Sequence, residues 1–199
     1  MFSSGYVRSL TFGASSYEPR NVTGLPSVVD LSPEMSTPYH QEEDGICVSV
    51  CMTDILTLLY KSTGRKYRKH VDFFYKRRSD KRVNGMSPRN AFEIAQANGL
   101  VTAFAILKNL LAIKVAILAN GPVLIALPVY NLTNVFWQKP DVGMIKPQGY
   151  HAVTLVGYDD KQEQFKLRNS WGTEWADRGY TYFPYEDMHS VMEAWTAFK

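Results

Sequence analysis

The pattern of apolar positions changes character near Pro122, where helical periodicity gives way to short strand-like runs. Before that point, apolar residues recur at spacings of three and four, which predicts a helix over about 47–60. A second predicted helix begins after Ser87, with proline at its first position, and ends before Gly99. A third is predicted over 107–119, closed by an Asn-Gly pair.

After Pro122 the chain is rich in β-branched and aromatic residues in short runs, which are typical of strands. An Asp-Asp-Lys sequence at 159–161 has the composition of a hairpin turn, and residues 28–31 are predicted as a short edge strand. Helices early and antiparallel strands late predict an α+β chain in two lobes. The five predicted strands of this second part are 123–130, 151–158, 164–167, 180–183 and 195–198.

Composition is that of an ordinary globular protein, with 199 residues, 45% of them hydrophobic and 21% charged. This excludes a disordered chain and fits one domain, or two lobes that share an interface. The first residues contain no apolar run that could serve as a signal-peptide core. The uncharged stretch 115–138 is interrupted by Asn, Gly and Pro, so we expect no membrane span and no membrane partner.

The two cysteines bear on the cellular compartment of the protein, and the distribution of charge bears on its binding partners. Cys47 and Cys51 lie four apart on one predicted helix, so no disulfide framework is expected. Together with the missing signal peptide, this predicts the cytoplasm, or a viral or phage particle assembled there. Residues 61–82 carry a net charge of +8 within a chain of net charge +3, which leaves −5 elsewhere. This basic strip fits a solvated helix face better than a nucleic-acid surface, because no nucleic-acid module is present.

Three residues have the chemistry of a cysteine nucleophile and its base. Cys47 stands at the start of a predicted helix, where the helix dipole favours the thiolate. His151 opens a predicted strand, from which its ring can take the thiol proton and later protonate a leaving group. Asn169, eighteen residues later, can hold the far ring nitrogen and so orient the imidazole.

Two further side chains complete this candidate site. Gln41 lies six residues before Cys47, and its amide, with the Cys47 backbone N–H, can donate to a developing oxyanion. Trp171 lies two residues after Asn169 and can cover the hydrogen bond between Asn169 and His151.

These segments resemble the papain-type cysteine peptidases, in particular compact bacterial or viral members. The resemblance rests on Gln-x5-Cys at 41–47, on His-Ala-Val leading to Val-Gly-Tyr at 151–158, and on Asn-Ser-Trp-Gly-x2-Trp-x3-Gly-Tyr at 169–180. It implies a helical left lobe, an antiparallel β-barrel-like right lobe and an active-site cleft between them. It also implies an endopeptidase that works on polypeptides through a covalent thioester, with no cofactor and no metal.

The chain departs from the pattern of that family in two places. The family's Cys-Gly-Ser-Cys-Trp is here Asp-Gly-Ile-Cys-Val at 44–48, so the disulfide partner and the aromatic residue are gone. The groove-lining Cys-Asn-Gly-Gly is reduced to Asn84-Gly85-Met86-Ser87-Pro88, in which Pro88 is also expected near the substrate pocket. By resemblance, Gly85 offers backbone hydrogen bonds to an extended peptide, and Met86 lies near a substrate pocket. Tyr150 and Trp171 are also predicted to contact substrate.

The resemblance divides the chain into a peptidase domain at 25–199 and an N-terminal extension at 1–24. The extension, rich in Gly and Ser, is predicted to lie across the cleft as a covering or pro-like segment. Two alternatives stay open at this point. The same triad can serve transpeptidation or isopeptide cleavage, or the fold can belong to a catalytically silent binding protein.

Overall fold

The structure is a computed structural model that describes residues 5–9, 15–19, 23–42, 45–61, 67–141, 143 and 145–199, with the backbone alone for Tyr67 and Arg68. Parts of the predicted extension and of the basic strip therefore lie outside the described residues. The helices are α1 (Cys47–Leu59), α2 (Tyr67–Arg77), α3 (Pro88–Ala97) and α4 (Leu110–Asn120). None of them is long and apolar enough to cross a membrane. The strands are β1 (Val28–Asp30), β2 (Ala103–Ile106), β3 (Val123–Val129), β4 (Gly149–Asp159), β5 (Gln164–Arg168), β6 (Tyr180–Pro184) and β7 (Glu193–Phe198).

Helix boundaries follow local capping chemistry. The predicted helix after Ser87 is confirmed as α3, because the Ser87 side chain accepts a hydrogen bond from the backbone N–H of Asn90. The predicted start of α4 at 107 is wrong by three residues. Asn109 caps that helix by accepting the backbone N–H of Ala112, and a residue in this capping position lies outside the helix. Helix α2 lies inside the basic strip, which the sequence analysis interpreted as a helix face without giving the bounds of the helix.

All seven strands belong to one antiparallel sheet in the order β2-β7-β3-β4-β5-β6, with β1 paired to β4. The α+β prediction is confirmed, but the sheet is open, so the expected barrel-like closure of the right lobe is wrong. Strand β2 was missed, because it is short and is stabilised by pairing with β7, some ninety residues later. The part of the chain before Pro122 therefore contributes two strands, β1 and β2, to the sheet.

Two hydrophobic clusters enclose this sheet. One contains residues of α1 and α3 together with Ala126 of β3 and Ala152 of β4. The other contains residues of α4 together with Phe136, Trp137 and residues of β4 to β6. Helix α1 is buried from Cys47 to Thr57. The helix that begins at Cys47 is thus packed against the strand that carries His151.

Candidate active site

Cys47 is the first residue of α1, and it is completely buried. The position at a helix N-terminus favours a thiolate, because unpaired backbone N–H groups point towards the sulfur. Burial has the larger effect in this structure and raises the pKa of the Cys47 thiol to about 11. Backbone hydrogen bonds at Ala152 and Val48 oppose this rise. The thiol is therefore protonated at neutral pH in the state seen here.

His151, near the start of β4, is oriented by Asn169. Its Nε2 lies 2.8 Å from Asn169 Oδ1, and the same oxygen accepts the backbone N–H of Ser170 at 2.8 Å. Because a carboxamide oxygen can only accept, Nε2 carries the ring proton. In the neutral imidazole, Nδ1 is then the nitrogen that can accept a proton. Burial lowers the pKa of His151 to about 4, although the hydrogen bond to Asn169 opposes this change.

The packing of α1 against the sheet places the Cys47 thiol close to the backbone that follows His151. The backbone of Ala152, the residue that directly follows His151, lies close enough to the Cys47 sulfur to oppose the rise of its pKa. Asn169 directly follows β5, which pairs with β4. Residues separated by more than a hundred positions thus meet where α1 begins and β4 enters the sheet.

Aromatic rings close the far side of the imidazole. Trp171 stacks on His151, with ring centroids 4.9 Å apart and an interplanar angle of 21°. Phe136 meets the His151 ring edge-on at 5.8 Å and contacts Trp171 at 5.0 Å. Trp171 is buried, so in this structure its ring covers the histidine instead of lining an open groove. These contacts keep water from the hydrogen bond between His151 and Asn169.

The amino group of Asn169 is an exception to normal polar pairing. Its Nδ2 is buried and has no hydrogen-bond partner among the described residues. Leaving such a donor unpaired costs about 1–3 kcal/mol. Buried unpaired groups of this kind call for a specific explanation. Here the oxygen of the same carboxamide orients His151, and this role fixes the position of the amino group as well.

Gln41 is held beside the same loop by Ser170. The Gln41 backbone N–H donates to the Ser170 carbonyl at 2.9 Å, and Gln41 Oε1 accepts the Ser170 hydroxyl. Fixing Oε1 in this way turns the Nε2 amino group away from Ser170. The sequence indicated Gln41 through its spacing from Cys47, but it did not indicate that Ser170 orients it.

Residues 5–9 lie as an extended segment against the predicted groove. Met86 N–H donates to the Gly5 carbonyl at 2.9 Å, and Val7 N–H donates to the Met86 carbonyl at 3.1 Å. Gly85 makes neither bond, but a Cβ at Gly85 would meet the Gly5 carbonyl oxygen at 2.5 Å. Backbone pairing with an extended peptide therefore falls on Met86, one residue after Gly85. The Gly5 backbone also lies close enough to the Cys47 sulfur to oppose the rise of its pKa.

Tyr6, between these two bonded residues, points into the protein and is 5% exposed. Its ring packs edge-on against Tyr150 at 6.0 Å, and its hydroxyl donates to Glu193. Tyr150 itself is 37% exposed. The segment thus occupies the region in which Met86 and Tyr150 were predicted to contact substrate.

A family model described as papain family cysteine protease matches residues 30–195 of this chain. The chain belongs to the papain family of cysteine proteases. The resemblance drawn from three short sequence blocks is confirmed by this match, which covers most of the chain.

Individual relatives match shorter parts of this papain-family chain. The viral cathepsin of Cydia pomonella granulosis virus (isolate Mexico/1963) is 30% identical over 99 residues, which are 49% of this chain and 29% of that protein. Peptidase 1 of Dermatophagoides pteronyssinus is 53% identical over 36 residues, 17% of this chain and 11% of that protein. The chain therefore spans less than a third of the length of these curated relatives.

Among solved structures, this papain-family chain is similar to xylellain, a cysteine protease from Xylella fastidiosa. The TM-score is 0.77 at 20% sequence identity, and the alignment covers 100% of this chain and 97% of that one. Because the identity is low, this likeness shows the fold alone, and it confirms the papain-like architecture.

Sequence reasoning missed three contributors to the site of this papain-family chain: Ser170, Phe136 and Glu193. Ser170 lies within the quoted Asn-Ser-Trp-Gly block, and Phe136 precedes a tryptophan, but neither position indicates a contact by itself. Glu193 did carry a signal, since it is the one charged residue of a buried strand and stands at its start. Among the described residues, no three or more His, Cys, Asp or Glu side chains come together as a metal site.

Proposed function

We propose that the chain is a cysteine endopeptidase in which Cys47 is the nucleophile and His151 the acid and base. One observation carries the proposal: the Asn169 oxygen holds His151 Nε2, leaving Nδ1 to accept a proton, while Cys47 lies against the neighbouring Ala152 backbone. Family membership supports peptide-bond hydrolysis as the reaction.

The reaction begins with transfer of the Cys47 thiol proton to His151 Nδ1. The thiolate attacks the peptide carbonyl carbon, and the carbonyl oxygen takes the negative charge of the tetrahedral intermediate. Collapse of this intermediate breaks the C–N bond, and the proton on Nδ1 passes to the leaving amine. Water, losing a proton to Nδ1, then hydrolyses the Cys47 thioester and releases the acid.

Gln41 supplies a donor to the oxyanion in this mechanism. Its Oε1 accepts the Ser170 hydroxyl. In the proposed mechanism, Nε2 of the same carboxamide donates to the carbonyl oxygen of the substrate, and the Cys47 backbone N–H is a second donor. Removing one such donor lowers the rate by a factor of about 10² to 10³. We therefore expect Gln41→Ala to lower kcat by this amount.

We further propose that residues 1–24 form an inhibitory extension of a peptidase domain at 25–199. Two anchors support this: residues 5–7 pair with Met86, and residues 15–17 pair with Ile106 of β2. Gly5 of the first anchor lies near the buried Cys47 thiol, and burial disfavours both the thiolate and the imidazolium. Displacing the segment admits water, which favours the ion pair between the Cys47 thiolate and the His151 imidazolium. The covering segment therefore disfavours this ion pair in addition to blocking the substrate.

Labelling with a cysteine-directed epoxide tests the catalytic proposal. In a chain that begins at Leu25, Cys47 is expected to be labelled, and the labelling is expected to disappear in Cys47→Ala and to fall in His151→Ala. Cys51→Ala is the matched control, because Cys51 is a second buried cysteine one turn further along α1. Undiminished labelling in Cys47→Ala would contradict the proposal.

Two comparisons test the inhibitory role of the extension and the type of reaction. If the extension inhibits, the chain that begins at Leu25 hydrolyses peptides faster than the full chain, and equal rates contradict inhibition. Product analysis with an added amine separates hydrolysis from transpeptidation, because a transferase gives an amide product in place of the free acid.

A further inference from the structure

A cavity in the helical half of the chain lies apart from the active site. Its volume is about 450 Å³, and it is enclosed by the end of α1, by α2 and by the residues that follow α3. Leu56, which lines it from α1, lies nine positions after Cys47, and this spacing corresponds to about 14 Å along a helix. The apolar lining residues of this α2 cavity are Leu56, Tyr60, Phe73, Phe74 and Leu100, and the polar ones are His70 and Asn98.

Packed and hydrogen-bonded side chains form the walls of the α2 cavity. Leu56 and Phe74 are buried, and Phe73 meets Phe74 edge-on with ring centroids 5.3 Å apart. The Tyr60 hydroxyl donates to the Leu100 carbonyl at 2.8 Å and so joins the end of α1 to the segment after α3. Cavities of roughly 300–1,000 Å³ with mostly apolar walls are typical of small-molecule sites. The size and the lining therefore suit a small apolar ligand.

One face of α2 carries both the apolar wall and a cation. His70, Phe73, Phe74 and Arg77 recur at spacings of three and four, so they lie along one face of this helix. The first three of them line the cavity. The Arg77 guanidinium lies 3.8 Å from the centroid of the Phe73 ring, and its Nη1 donates to the Phe73 carbonyl at 3.3 Å. The cation is thus held on an aromatic residue of the cavity wall.

The charge around the cavity is positive. None of its described lining residues is acidic, and a second cation, the Lys199 ammonium, lies 4.7 Å from the centroid of the Tyr60 ring. In the part of the chain that the structure describes, Arg77 and Lys199 have no carboxylate partner, whereas the neighbouring Lys76 is paired with Asp72. A guanidinium has five N–H donors, so Arg77 retains donors for an anion besides the one that it gives to the backbone.

We propose that the α2 cavity binds an apolar carboxylate of small-molecule size, such as a medium-chain fatty acid. The hydrocarbon chain packs against Leu56, Phe73 and Phe74, and the carboxylate accepts hydrogen bonds from the Arg77 guanidinium. The basic strip adds a field that attracts an anion to this face of the molecule. The site goes beyond the proposed peptidase function and does not depend on it, because none of its residues belongs to the active site.

An alkyl chain fits this lining better than a polypeptide segment does. A peptide brings backbone N–H and C=O groups, and each of these needs a partner when it is buried. The cavity offers two polar side chains, His70 and Asn98, and Asn98 Nδ2 already donates to the Ile94 carbonyl at 2.7 Å. A fatty acid has one polar group, its carboxylate, and the cations at Arg77 and Lys199 match that group.

Displacement of a fluorescent fatty acid from the full chain tests the site without any need for catalysis. The probe is dansyl-undecanoic acid, whose fluorescence rises in an apolar environment, and the competitors are decanoate and decanol, which share a chain length but not a charge. Decanoate is expected to displace the probe at a concentration at least about tenfold lower than decanol, the ratio that one charged hydrogen bond supplies. In Arg77→Gln this difference is expected to disappear. In the matched control Lys76→Gln, which removes the neighbouring charge of the same helix, it is expected to remain.

A variant that fills the cavity shows where the probe binds. Asn98 is exposed and lines the cavity, so Asn98→Trp adds a large ring there without disturbing the core. This change is expected to weaken binding of the probe and of both competitors by at least about tenfold, because the apolar surface is already covered. Gln96→Trp is the matched control, since Gln96 is exposed on α3 but does not line the cavity. Thermal unfolding checks that both variants are folded.

Three results overturn the proposal: no rise in probe fluorescence, equal displacement by decanoate and decanol, or unchanged probe affinity in Asn98→Trp. The first two need no variant. Displacement by an acetylated Asp-Phe-Asp peptide at a lower concentration than decanoate also contradicts it and assigns the cavity to a polypeptide partner. A dimer of the full chain that Asn98→Trp dissociates contradicts it in favour of a second copy. Peptide hydrolysis by the chain that begins at Leu25 judges the peptidase function separately, so either proposal can fail alone.

Discussion

Arg168 Nε lies 3.1 Å from Asp54 Oδ1, and this ion pair joins the end of β5 to the middle of α1. Both side chains are almost fully buried, with 1% and 3% exposed. Cys47 lies two helical turns before Asp54 on α1, and Asn169 directly follows Arg168. The pair therefore ties the helix that begins with the thiol to the loop that orients the imidazole.

Breaking this pair is expected to destabilise the fold. Asp54→Leu leaves the Arg168 guanidinium buried without its counter-charge, and the loss of one partner from a buried pair costs about 3–5 kcal/mol. Urea denaturation measures the change in the free energy of unfolding. Asp72→Leu is the control, because Asp72 pairs with Lys76 at 3.7 Å on the exposed surface of α2, and it should leave stability nearly unchanged. Equal effects of the two substitutions would contradict a special role for the buried pair.

Removing the Asn169 carboxamide is expected to slow catalysis by about 10²-fold, the effect of a small misplacement of a catalytic group. His151 loses the acceptor that fixes its ring, so the fall appears in kcat more than in KM. The measurement is peptide hydrolysis by Asn169→Ala in the chain that begins at Leu25. Asn120→Ala, at the end of α4 and remote from His151, should keep the full rate. An unchanged rate in Asn169→Ala would remove Asn169 from the site.

Gly85→Ala is expected to displace the N-terminal segment. Gly85 has a φ of +150°, and a Cβ there would meet the Gly5 carbonyl oxygen at 2.5 Å. The expected result is faster alkylation of Cys47 in the full chain. Gly99→Ala is the matched control, since Gly99 also has a positive φ, +66°, but nothing lies within 4 Å of its Cβ position. Backbone strain is expected to lower the stability of both variants, but only Gly85→Ala should expose the Cys47 thiol.

Stability should depend on pH through His151. Burial lowers the pKa of His151 from 6.5 to about 4, so the unfolded chain binds this proton more readily than the folded chain does. The free energy of unfolding therefore falls as pH falls below 6.5, and the loss is complete near pH 4. At its full extent the loss is about 3 kcal/mol.

His151→Gln removes this titration and provides the comparison. Carboxylates titrate in both proteins, so the difference between their urea denaturation curves across this pH range reports His151. The wild type should lose stability relative to the variant as pH falls. Curves that stay parallel would show that His151 is not held in its neutral form by the fold.

Local signals predicted the elements that end in strong capping or turn chemistry. Ser87 and the following proline marked the start of α3, and the run of β-branched and aromatic residues at 151–158 marked β4. Capping by Asn109 shows the limit of such reasoning, because apolar spacing extended the helix backwards past the residue that caps it. Strand β2 had no local signal strong enough to predict it, since its stability comes from pairing with β7.

The amino-acid sequence alone identified the family and the α+β class, and it indicated the proposed nucleophile and base, because spacing and residue type can be read from the chain without coordinates. Only the tertiary structure showed how distant parts of the chain pack together. It decided the open sheet, the hydrogen bond from Ser170 to Gln41, the Asp54–Arg168 ion pair and the Tyr6–Glu193 hydrogen bond. Each joins residues more than a hundred positions apart or depends on which strands are neighbours, and burial then sets the protonation of Cys47 and His151. Such long-range pairings and the desolvation they cause are products of the whole fold, which no short stretch of chain encodes.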